Sequence, residues 1–481
     1  MLESIMLDFV IIFIFALLLL GTVIFMYRRS GKFRTTIPGM DPIDSREGNL
    51  PDIAKAGSLH EFLSLLHERY GKIAHFWMGP RFVVSIASAE LFKQHLKVFD
   101  RPPELFRPYE PLFGSNSIAY ANGADGRARR KLYDASYGHG IVMNNYLGIF
   151  NKLSNEVSAK WNTMLDEQHI PLRDQMFAFA IKSITITSFG DYFHDDEQVL
   201  EFRKAYDTCM DEMERRLTEG APEPDSLEEK NFKKALNIMH STIKKIVEIR
   251  RDNPLKSEDD HIFLDTLLEA GIPESQLIDD SISFTVAGFH TSGLFLTWLF
   301  YFLALHQDVQ TKVYDELLKV LGPNGKISAD NINDLQYGRQ VQDETLRCSV
   351  LAPWTARYQH MDVELGGHTI PAETPVILAL GVSLQDEEYW PEPTKFDPDR
   401  FSPENSKLRP DMAFQPFGFA GKRKCPGYRF SYIEVQVLVA EILRKFRIKL
   451  VEGQVVMPVY GFVTNPKEEI WVTLEKRGNE E

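Results

Sequence analysis

One cysteine of the chain lies in a segment whose composition favours a thiolate. Residues 415–427 read QPFGFAGKRKCPG, and a long helical pattern follows Cys425 directly. Backbone N–H groups and the positive end of a helix dipole stabilise a thiolate, and Lys422, Arg423 and Lys424 add positive charge that lowers the thiol pKa. A thiolate is the form that binds a metal ion, whereas an isolated Cys-x-Gly is more often an inert buried cysteine.

A second segment, residues 287–292 (AGFHTS), combines a glycine, a histidine and a hydroxyl group within a helical pattern. Gly288 and Thr291 would share one helix face with Phe284, as the lining of a pocket requires. The Thr291 hydroxyl can donate and accept hydrogen bonds, and His290 can carry a proton because the unperturbed pKa of histidine is about 6.5. Without other motifs, an apolar helix with one threonine is more often plain core.

The elements that must position these segments are predicted to be mainly α-helical, with a small β portion. Helical periodicity is clearest in three segments: 282–305, 308–321 and 431–446. Short β-rich runs predict three strands: 82–86, 374–378 and 469–474. Residues 214–230 combine glycine and prolines with mixed charges, which predicts a surface loop between two helices. No fixed-period repeat is present, so we expect one irregular body.

The amino terminus is predicted to be a membrane anchor. Residues 9–26 are an uninterrupted uncharged run, about long enough to cross a hydrocarbon core of roughly 30 Å as a helix. Acidic residues precede the run and basic residues follow it, so the positive-inside rule places the remainder of the chain in the cytosol. We therefore expect an anchor at 1–27, a basic and proline-containing linker at 28–49, and a single catalytic domain at 50–481.

Charge and cysteine content argue against a nucleic-acid-binding protein and against a protein stabilised by a disulfide framework. The 481-residue chain has a formal net charge of −14, whereas a nucleic-acid-binding protein needs a basic face. Its three cysteines cannot form a disulfide framework and fit a reducing compartment. One of the three cysteines is therefore free to act as a thiolate.

Several segments together resemble the cytochrome P450 enzymes in order and spacing, from the anchor to the last strand. Besides the Cys425 loop and residues 287–292, Glu344-Thr-Leu-Arg347 is similar to the family's Glu-x-x-Arg. Residues 396–401 (FDPDRF) are similar to its Phe-x-Pro-x-Arg-Phe. Within the family, the His-Thr pair, the lengthened loop and the amino terminus resemble an animal family without a settled substrate.

The resemblance implies a cytochrome P450 fold preceded by one transmembrane helix, and heme b with Cys425 as the axial ligand of the iron. It assigns further cofactor contacts to five residues: Arg130, Phe417, Gly421, Arg423 and Gly427. Glycines would let the backbone approach the flat macrocycle. By the same likeness, Gly288 clears space for O2, while Thr291 and His290 deliver protons. A buried network that locks the core is implied for three residues: Glu344, Arg347 and Arg400.

The chain departs from the family pattern where the site is concerned. His290 stands where the family has an acid, and the loop from Phe417 to Cys425 is one residue longer than usual. Gly126 stands where tryptophan is expected, which leaves Arg130 as the candidate to pair with a heme propionate. We expect His290 to weaken proton delivery without abolishing it. The alternative is that His290 packs against a neighbouring helix as a core residue.

Three functions fit the resemblance. The first is a monooxygenase of the endoplasmic reticulum membrane that inserts oxygen from O2 into a lipophilic substrate. Its electrons would come from NADPH through a flavoprotein reductase, with cytochrome b5 as a further partner. The second is a heme-thiolate isomerase or dehydratase that rearranges peroxides without a reductase, and the third is a non-catalytic heme protein that binds a sterol or another ligand. Dependence on a reductase separates the first function from the other two.

Two surfaces are expected around the heme. Basic residues on its proximal side would form a patch that an acidic flavin domain can dock against: Arg127, Arg129, Arg130, Lys131 and Lys422 to Lys424. By resemblance, substrate contacts come from five segments: 101–120, 195–240, 284–291, 351–355 and 460–464. Phe289 and Phe462 favour an apolar pocket that could hold a molecule of sterol size.

Overall fold

A computed structural model of the chain describes residues 35–165, 167–190, 192–193, 196–253, 261–419, 421 and 423–478, without the side chains of 217–219. The predicted anchor at 1–27 lies outside these residues. Contacts divide the chain into two units, Met1–Pro38 and Gly39–Glu481. Of the first unit only residues 35–38 are described, where the Ile37 N–H donates to Thr35 Oγ1 at 3.1 Å. All that follows concerns the second unit.

The second unit is mainly helical, as predicted. Its α-helices, in chain order, are α1 Leu50–Ala56, α2 Leu59–Tyr70, α3 Ala89–Gln94, α4 Pro103–Phe106, α5 Glu110–Phe113, α6 Gly123–Tyr133, α7 His139–Ile141, α8 Leu147–Asn162, α9 Leu172–Phe189, α10 Asp196–Glu219, α11 Leu227–Asp252, α12 Phe263–Glu269, α13 Glu274–Leu305, α14 Gln307–Leu321, α15 Gln336–Ser349, α16 Leu380–Leu384, α17 Pro403–Ser406 and α18 Tyr428–Lys445. Short 3-10 helices occur at Arg107–Tyr109, Asp134–Tyr137, Ile332–Asp334 and Pro398–Phe401, and a π-helical stretch at Val142–Tyr146.

The small β portion forms four sheets among the described residues. The strands are β1 Ile73–Met78, β2 Arg81–Ile86, β3 Ile170–Pro171, β4 Thr355–Arg357, β5 Val363–Leu365, β6 His368–Ile370, β7 Val376–Leu378, β8 Phe446–Leu450, β9 Pro458–Tyr460, β10 Thr464–Pro466 and β11 Trp471–Lys476. The largest sheet has the order β1-β2-β7-β4, in which β2 and β7 are parallel and Val84 pairs with Val376. The other sheets are β3-β11-β8, β9-β10 and β5-β6. The three predicted strands are confirmed, with their ends shifted by up to two residues.

The long helix α13 forms the centre of the core. It is apolar around most of its circumference, which is the pattern of a helix surrounded by protein. Among the described residues it is the one helix long and apolar enough to cross a membrane, but 72% of its apolar window is buried inside the protein. The helix is therefore part of the core.

Helix α9 packs closely along α13 at two glycines. A β-carbon on Gly288 would lie 2.3 Å from Cγ1 of Ile184, and one on Gly293 would lie 2.8 Å from the ring of Phe177. Any larger residue at either position would force the facing side chain of α9 to shift. The glycines are thus explained by helix packing.

The loop predicted at 214–230 is shorter than expected. Helix α10 continues to Glu219 and α11 begins at Leu227, with Ser226 as its N-cap, so residues 220–226 form the connection. The charges pair within the helix instead: the buried Glu212 lies 2.9 Å from Arg215 and 2.7 Å from Arg216. Such pairs three and four residues apart support a helix rather than a loop.

Candidate active site

Cys425 lies between residues 415–424 and the start of α18. Its N–H donates to the Phe417 carbonyl at 2.9 Å, which closes the loop. Burial raises the pKa of the Cys425 thiol, although the N–H of Gly427 and the charge of Arg130 oppose this. The nearby positive charges of Arg130 and Lys424 do lower the pKa of this thiol, but burial outweighs them in the protein alone. A buried thiol loses its proton when it binds a metal ion.

Two further predicted cofactor residues of the loop, Gly421 and Phe417, contact protein. Gly421 has a φ of +58°, and a β-carbon there would lie 3.0 Å from the Val98 carbonyl oxygen. Its N–H donates to the Leu96 carbonyl at 2.6 Å. The Phe417 ring lies 5.1 Å from that of Tyr432 on α18. Gly421 therefore packs the loop against residues 96–99. Of the two predicted glycines, only Gly427 lies beside Cys425: a β-carbon on Gly427 would be 4.0 Å from Cys425 Sγ.

Three arginines close to Cys425 lack a carboxylate partner among the described residues. Arg357 and Arg423 are buried, and the Nε atoms of both and of Arg101 are enclosed without a hydrogen-bond acceptor. Burial, and then the charges of neighbouring arginines including Arg130, lower the pKa of Arg423 to about 7 and that of Arg101 to about 10. The same causes hold the pKa of Arg357 well below its usual value. Buried cations of this kind need an anionic ligand. This arginine cluster (Arg101, Arg357 and Arg423), beside a thiol, fits heme b, whose two propionates are carboxylates.

Two members of the cluster, and a histidine beside it, were not found from the sequence. Arg101 precedes two prolines, and Arg357 interrupts the apolar pattern around β4. A cation among apolar residues was the sequence signal that could have identified them as ligands of an anion. His95 is buried, and its Nε2 has no hydrogen-bond partner among the described groups. Burial, followed by the charge of Arg357, lowers the pKa of His95 to about 4, so its ring is neutral and can donate to a carboxylate.

Arg130, on α6, holds the Cys425 loop in place. Its guanidinium donates to Asp134 Oδ1 at 2.7 Å and to the carbonyl of Lys424, the residue before Cys425, at 2.5 Å. Its charge also contributes to the lowered pKa values of the arginine cluster, which places it nearby. Gly126, at the expected tryptophan position, could not carry a side chain, because a β-carbon would lie 2.4 Å from the Ala121 carbonyl oxygen.

On α13, Ala287 and Thr291 form an accessible strip one turn apart. Ala287 is exposed and Thr291 partly exposed, whereas His290 and Ser292 beside them are buried. The Thr291 hydroxyl donates to the Ala287 carbonyl at 2.6 Å. A β-carbon on Gly288 would meet Ile184 on α9, so helix packing explains this glycine without a role in O2 binding. The strip consists of Ala287 and Thr291 instead.

His290 points away from this strip. Its ring lies 5.2 Å from that of Tyr206 on α10 and 6.0 Å from that of Phe177 on α9. Burial, and then the charges of Arg203 and Arg173, lower the pKa of His290 to about 3, so the ring is neutral. This placement favours the alternative of a core residue over that of a proton relay.

The three residues of the implied structural network lie together. Arg347 makes two bonds to Glu344, at 2.7 and 2.8 Å, and both side chains are buried. Arg400 Nε lies 3.4 Å from Glu344 Oε1, and the Asp397 N–H donates to the same oxygen at 2.8 Å. Arg347 also donates to the Pro393 carbonyl at 2.7 Å. The network therefore fastens α15 to the segment that leads to the Cys425 loop.

The predicted basic patch is smaller than expected. Arg129, Arg130 and Arg423 are buried, and Arg129 pairs with Asp280 on α13 at 2.6 Å. Lys422 lies outside the described residues. Three members of the predicted patch remain exposed: Arg127, Lys131 and Lys424.

Comparison with known proteins agrees with the geometry. The family profile "Cytochrome P450" matches residues 44–473. The chain is 37% identical over 477 residues to "Cytochrome P450 20A1" of Bos taurus, covering 98% of this chain and 100% of that protein. It is 36% identical over 477 residues to the Homo sapiens protein of the same name, with the same coverage. It is 26% identical over 412 residues to "Cytochrome P450 4c21" of Blattella germanica, covering 80% of this chain and 81% of that protein. The resemblance found in the sequence motifs is confirmed, and the chain belongs to the cytochrome P450 family.

Proposed function

We propose that the chain is a heme-thiolate monooxygenase that inserts one oxygen atom from O2 into a lipophilic substrate. It would be anchored in the endoplasmic reticulum membrane with its catalytic domain in the cytosol, and would receive electrons from an NADPH-dependent flavoprotein reductase and from cytochrome b5. The arginine cluster beside Cys425 is the observation that carries this proposal, because its buried charges need the two carboxylates that heme b supplies. The family is one of oxygenase enzymes, so a non-catalytic heme protein is set aside.

The protein's own groups would hold the cofactor from two sides. Cys425 would ligate the iron as a thiolate, and Arg101, Arg357 and Arg423 would bind the propionates with His95 as a further donor. Arg130 would keep the loop in place through the Lys424 carbonyl. When bound, heme supplies the redox centre for O2 activation, and a thiolate ligand favours cleavage of the O–O bond.

Thr291 would position the proton source. Its hydroxyl hydrogen is donated to Ala287, which leaves the Oγ1 lone pairs free to accept from a water molecule. A water held on the accessible strip would be oriented towards the site of O2 reduction. We assign His290 no part in this step, because its ring is enclosed by α9 and α10.

Three exposed cations would guide the reductase. Arg127, Lys131 and Lys424 lie on or near α6 and the Cys425 loop, whereas the chain as a whole is acidic. A local positive surface on an acidic protein attracts an acidic flavin domain and speeds its association.

The decisive test is the reduced carbon monoxide complex of Cys425→His. The wild type should show the red-shifted absorption of thiolate ligation, and the variant should lose it while a pyridine assay still detects heme. Cys209→Ala is the matched control, because Cys209 is a buried thiol in α10, and it should keep the red-shifted band. Loss of the band in Cys209→Ala, or its survival in Cys425→His, would refute the assignment.

A second candidate function is a heme-thiolate isomerase or dehydratase that rearranges peroxides without a reductase. The observation in its favour is that His290, which replaces the family's acid, faces away from Thr291 and is neutral. Turnover of a lipid hydroperoxide without NADPH and reductase would favour this candidate. NADPH oxidation that requires both substrate and reductase would favour the monooxygenase.

A further inference from the structure

Glu214 is a carboxylate in a wall formed by α10, residues 107–109 and the β9–β10 turn. Its Oε1 accepts the Phe462 N–H at 3.3 Å, which is a long hydrogen bond. Gly461 lies so close that a β-carbon there would be 2.6 Å from the same oxygen. The ring of Phe462 lies 4.9 Å from that of Tyr109, so the carboxylate is set among aromatic side chains.

This carboxylate lacks a cation, although its neighbours on α10 have one. Glu212 pairs with Arg215 and Arg216, whereas Glu214 forms no salt bridge with any side chain that the structure describes. Burial raises the pKa of Glu214, and the charge of Asp211 raises it further. Glu214 is partly exposed. A partly desolvated carboxylate with one weak donor can gain a charge-assisted hydrogen bond from a ligand that supplies a cation.

A second polar group in the same region is also without a partner. Tyr206 is buried, and its hydroxyl has no hydrogen-bond partner among the described groups. Burial raises the pKa values of Tyr109 and Tyr206, and the charge of Glu214 contributes to both, so all three side chains are near one another. The Tyr206 ring contacts Phe289 on α13 at 4.7 Å, two residues before Thr291.

The turn that meets Glu214 is fixed to the core. Trp298 Nε1 on α13 donates to the Thr464 carbonyl at 3.0 Å, and the Thr464 N–H donates to the Leu351 carbonyl at 3.0 Å. The position of Phe462 relative to α13 is therefore set by buried hydrogen bonds. Three of the segments expected to contact substrate, 101–120, 195–240 and 460–464, meet at Glu214.

We propose that Glu214 is the polar anchor of the substrate site and that the substrates are lipophilic amines. The aromatic wall would take the apolar body of the molecule, and the protonated nitrogen would pair with the carboxylate, which otherwise remains uncompensated. This inference rests on the proposed function, since it names the substrate class of that site.

The test compares a lipophilic amine with a neutral relative. The full chain, purified in detergent, is dialysed to equilibrium against N,N-dimethyldodecylamine or N,N-dimethyldodecanamide, with protein-free micelles as the blank. Wild type should bind the amine at least about tenfold more tightly than the amide. Glu214→Gln should weaken amine binding by roughly 10- to 100-fold, as expected for loss of a charge-assisted contact, and change amide binding by less than about twofold.

Glu201→Gln is the matched control, because Glu201 is an exposed carboxylate on the same helix. It should bind both ligands like wild type. Equal wild-type affinity for amine and amide overturns the proposal, and so does an equal loss of both ligands in a folded Glu214→Gln variant. If Glu214→Gln does not fold, the wild-type preference and Glu214→Asp, which keeps the charge and should keep the preference, still decide the question.

Dialysis does not depend on the heme, so this result is separate from the test of Cys425. An amine preference that persists after Cys425→His would support the anchor even if the thiolate assignment failed.

Discussion

The arginine side chains near Cys425 repel one another, and a bound anion would relieve this repulsion. Arg357 and Arg423 are buried without a carboxylate partner among the described residues. After burial, the charge of Arg101 lowers the pKa of both, and the charge of Arg357 lowers that of Arg423 further. A ligand that binds the folded state alone stabilises it. We therefore interpret the cluster as a part of the fold that is complete when heme is bound.

The position of the His290 ring, between α9 and α10, makes a role in proton delivery less favourable than the sequence suggested. We predict that His290→Asp leaves the peroxide released per NADPH oxidised unchanged in a reductase-coupled assay, because position 290 faces Tyr206 and Phe177. Thr291→Ala, at the accessible strip, should raise peroxide release in the same assay. A lower peroxide yield in His290→Asp would restore the relay hypothesis.

At the scale of elements, one buried carboxylate joins three parts of the site. Asp280 on α13 accepts from Arg129 at 2.6 Å, from the Tyr133 hydroxyl at 2.6 Å and from the Ile118 N–H at 2.6 Å. The Ile118 carbonyl accepts from Arg423 at 3.3 Å. Helix α6 and helix α13 are thus joined at Asp280, and Ile118 links Asp280 to Arg423 of the Cys425 loop.

Loss of this carboxylate should be costly. We predict that Asp280→Asn destabilises the protein by about 3 kcal/mol or more, because it leaves the buried Arg129 charge without its main partner. Thermal or denaturant unfolding, together with heme retention, would measure the effect.

Asp125→Asn is the control for this prediction. Asp125 also contacts Arg129, at 3.3 Å, but it is exposed, so its loss should cost no more than about 1 kcal/mol. Similar losses in the two variants would show that burial of Asp280 does not determine the strength of the pair.

For the whole molecule, two segments have the length and composition that a membrane-spanning helix needs. Helix α13 has the length and composition of a spanning helix, but it is mostly enclosed by protein. The apolar run at 9–26 is the other segment with this composition. We interpret the first as core and the second as the anchor.

Deletion of residues 1–27 should therefore leave a heme-binding protein that associates only weakly with membranes. Carbonate extraction should release the truncated form into the supernatant and leave the full chain in the membrane pellet. Retention of the truncated form in the pellet would mean that another segment spans the bilayer.

Local patterns determined much of this protein from the sequence alone. The Cys425 loop, the pairing of Glu344 with Arg347 and the periodicity of α13 and α14 depend on residues close together in the chain, where spacing translates directly into shared helix faces. Only the tertiary structure decided which neighbour each face meets. Gly288 packs on Ile184, His290 packs on Tyr206, and Arg101 and Arg357 join Arg423 from distant segments. Such contacts depend on how helices and loops far apart in sequence pack together, which periodicity within one segment does not encode.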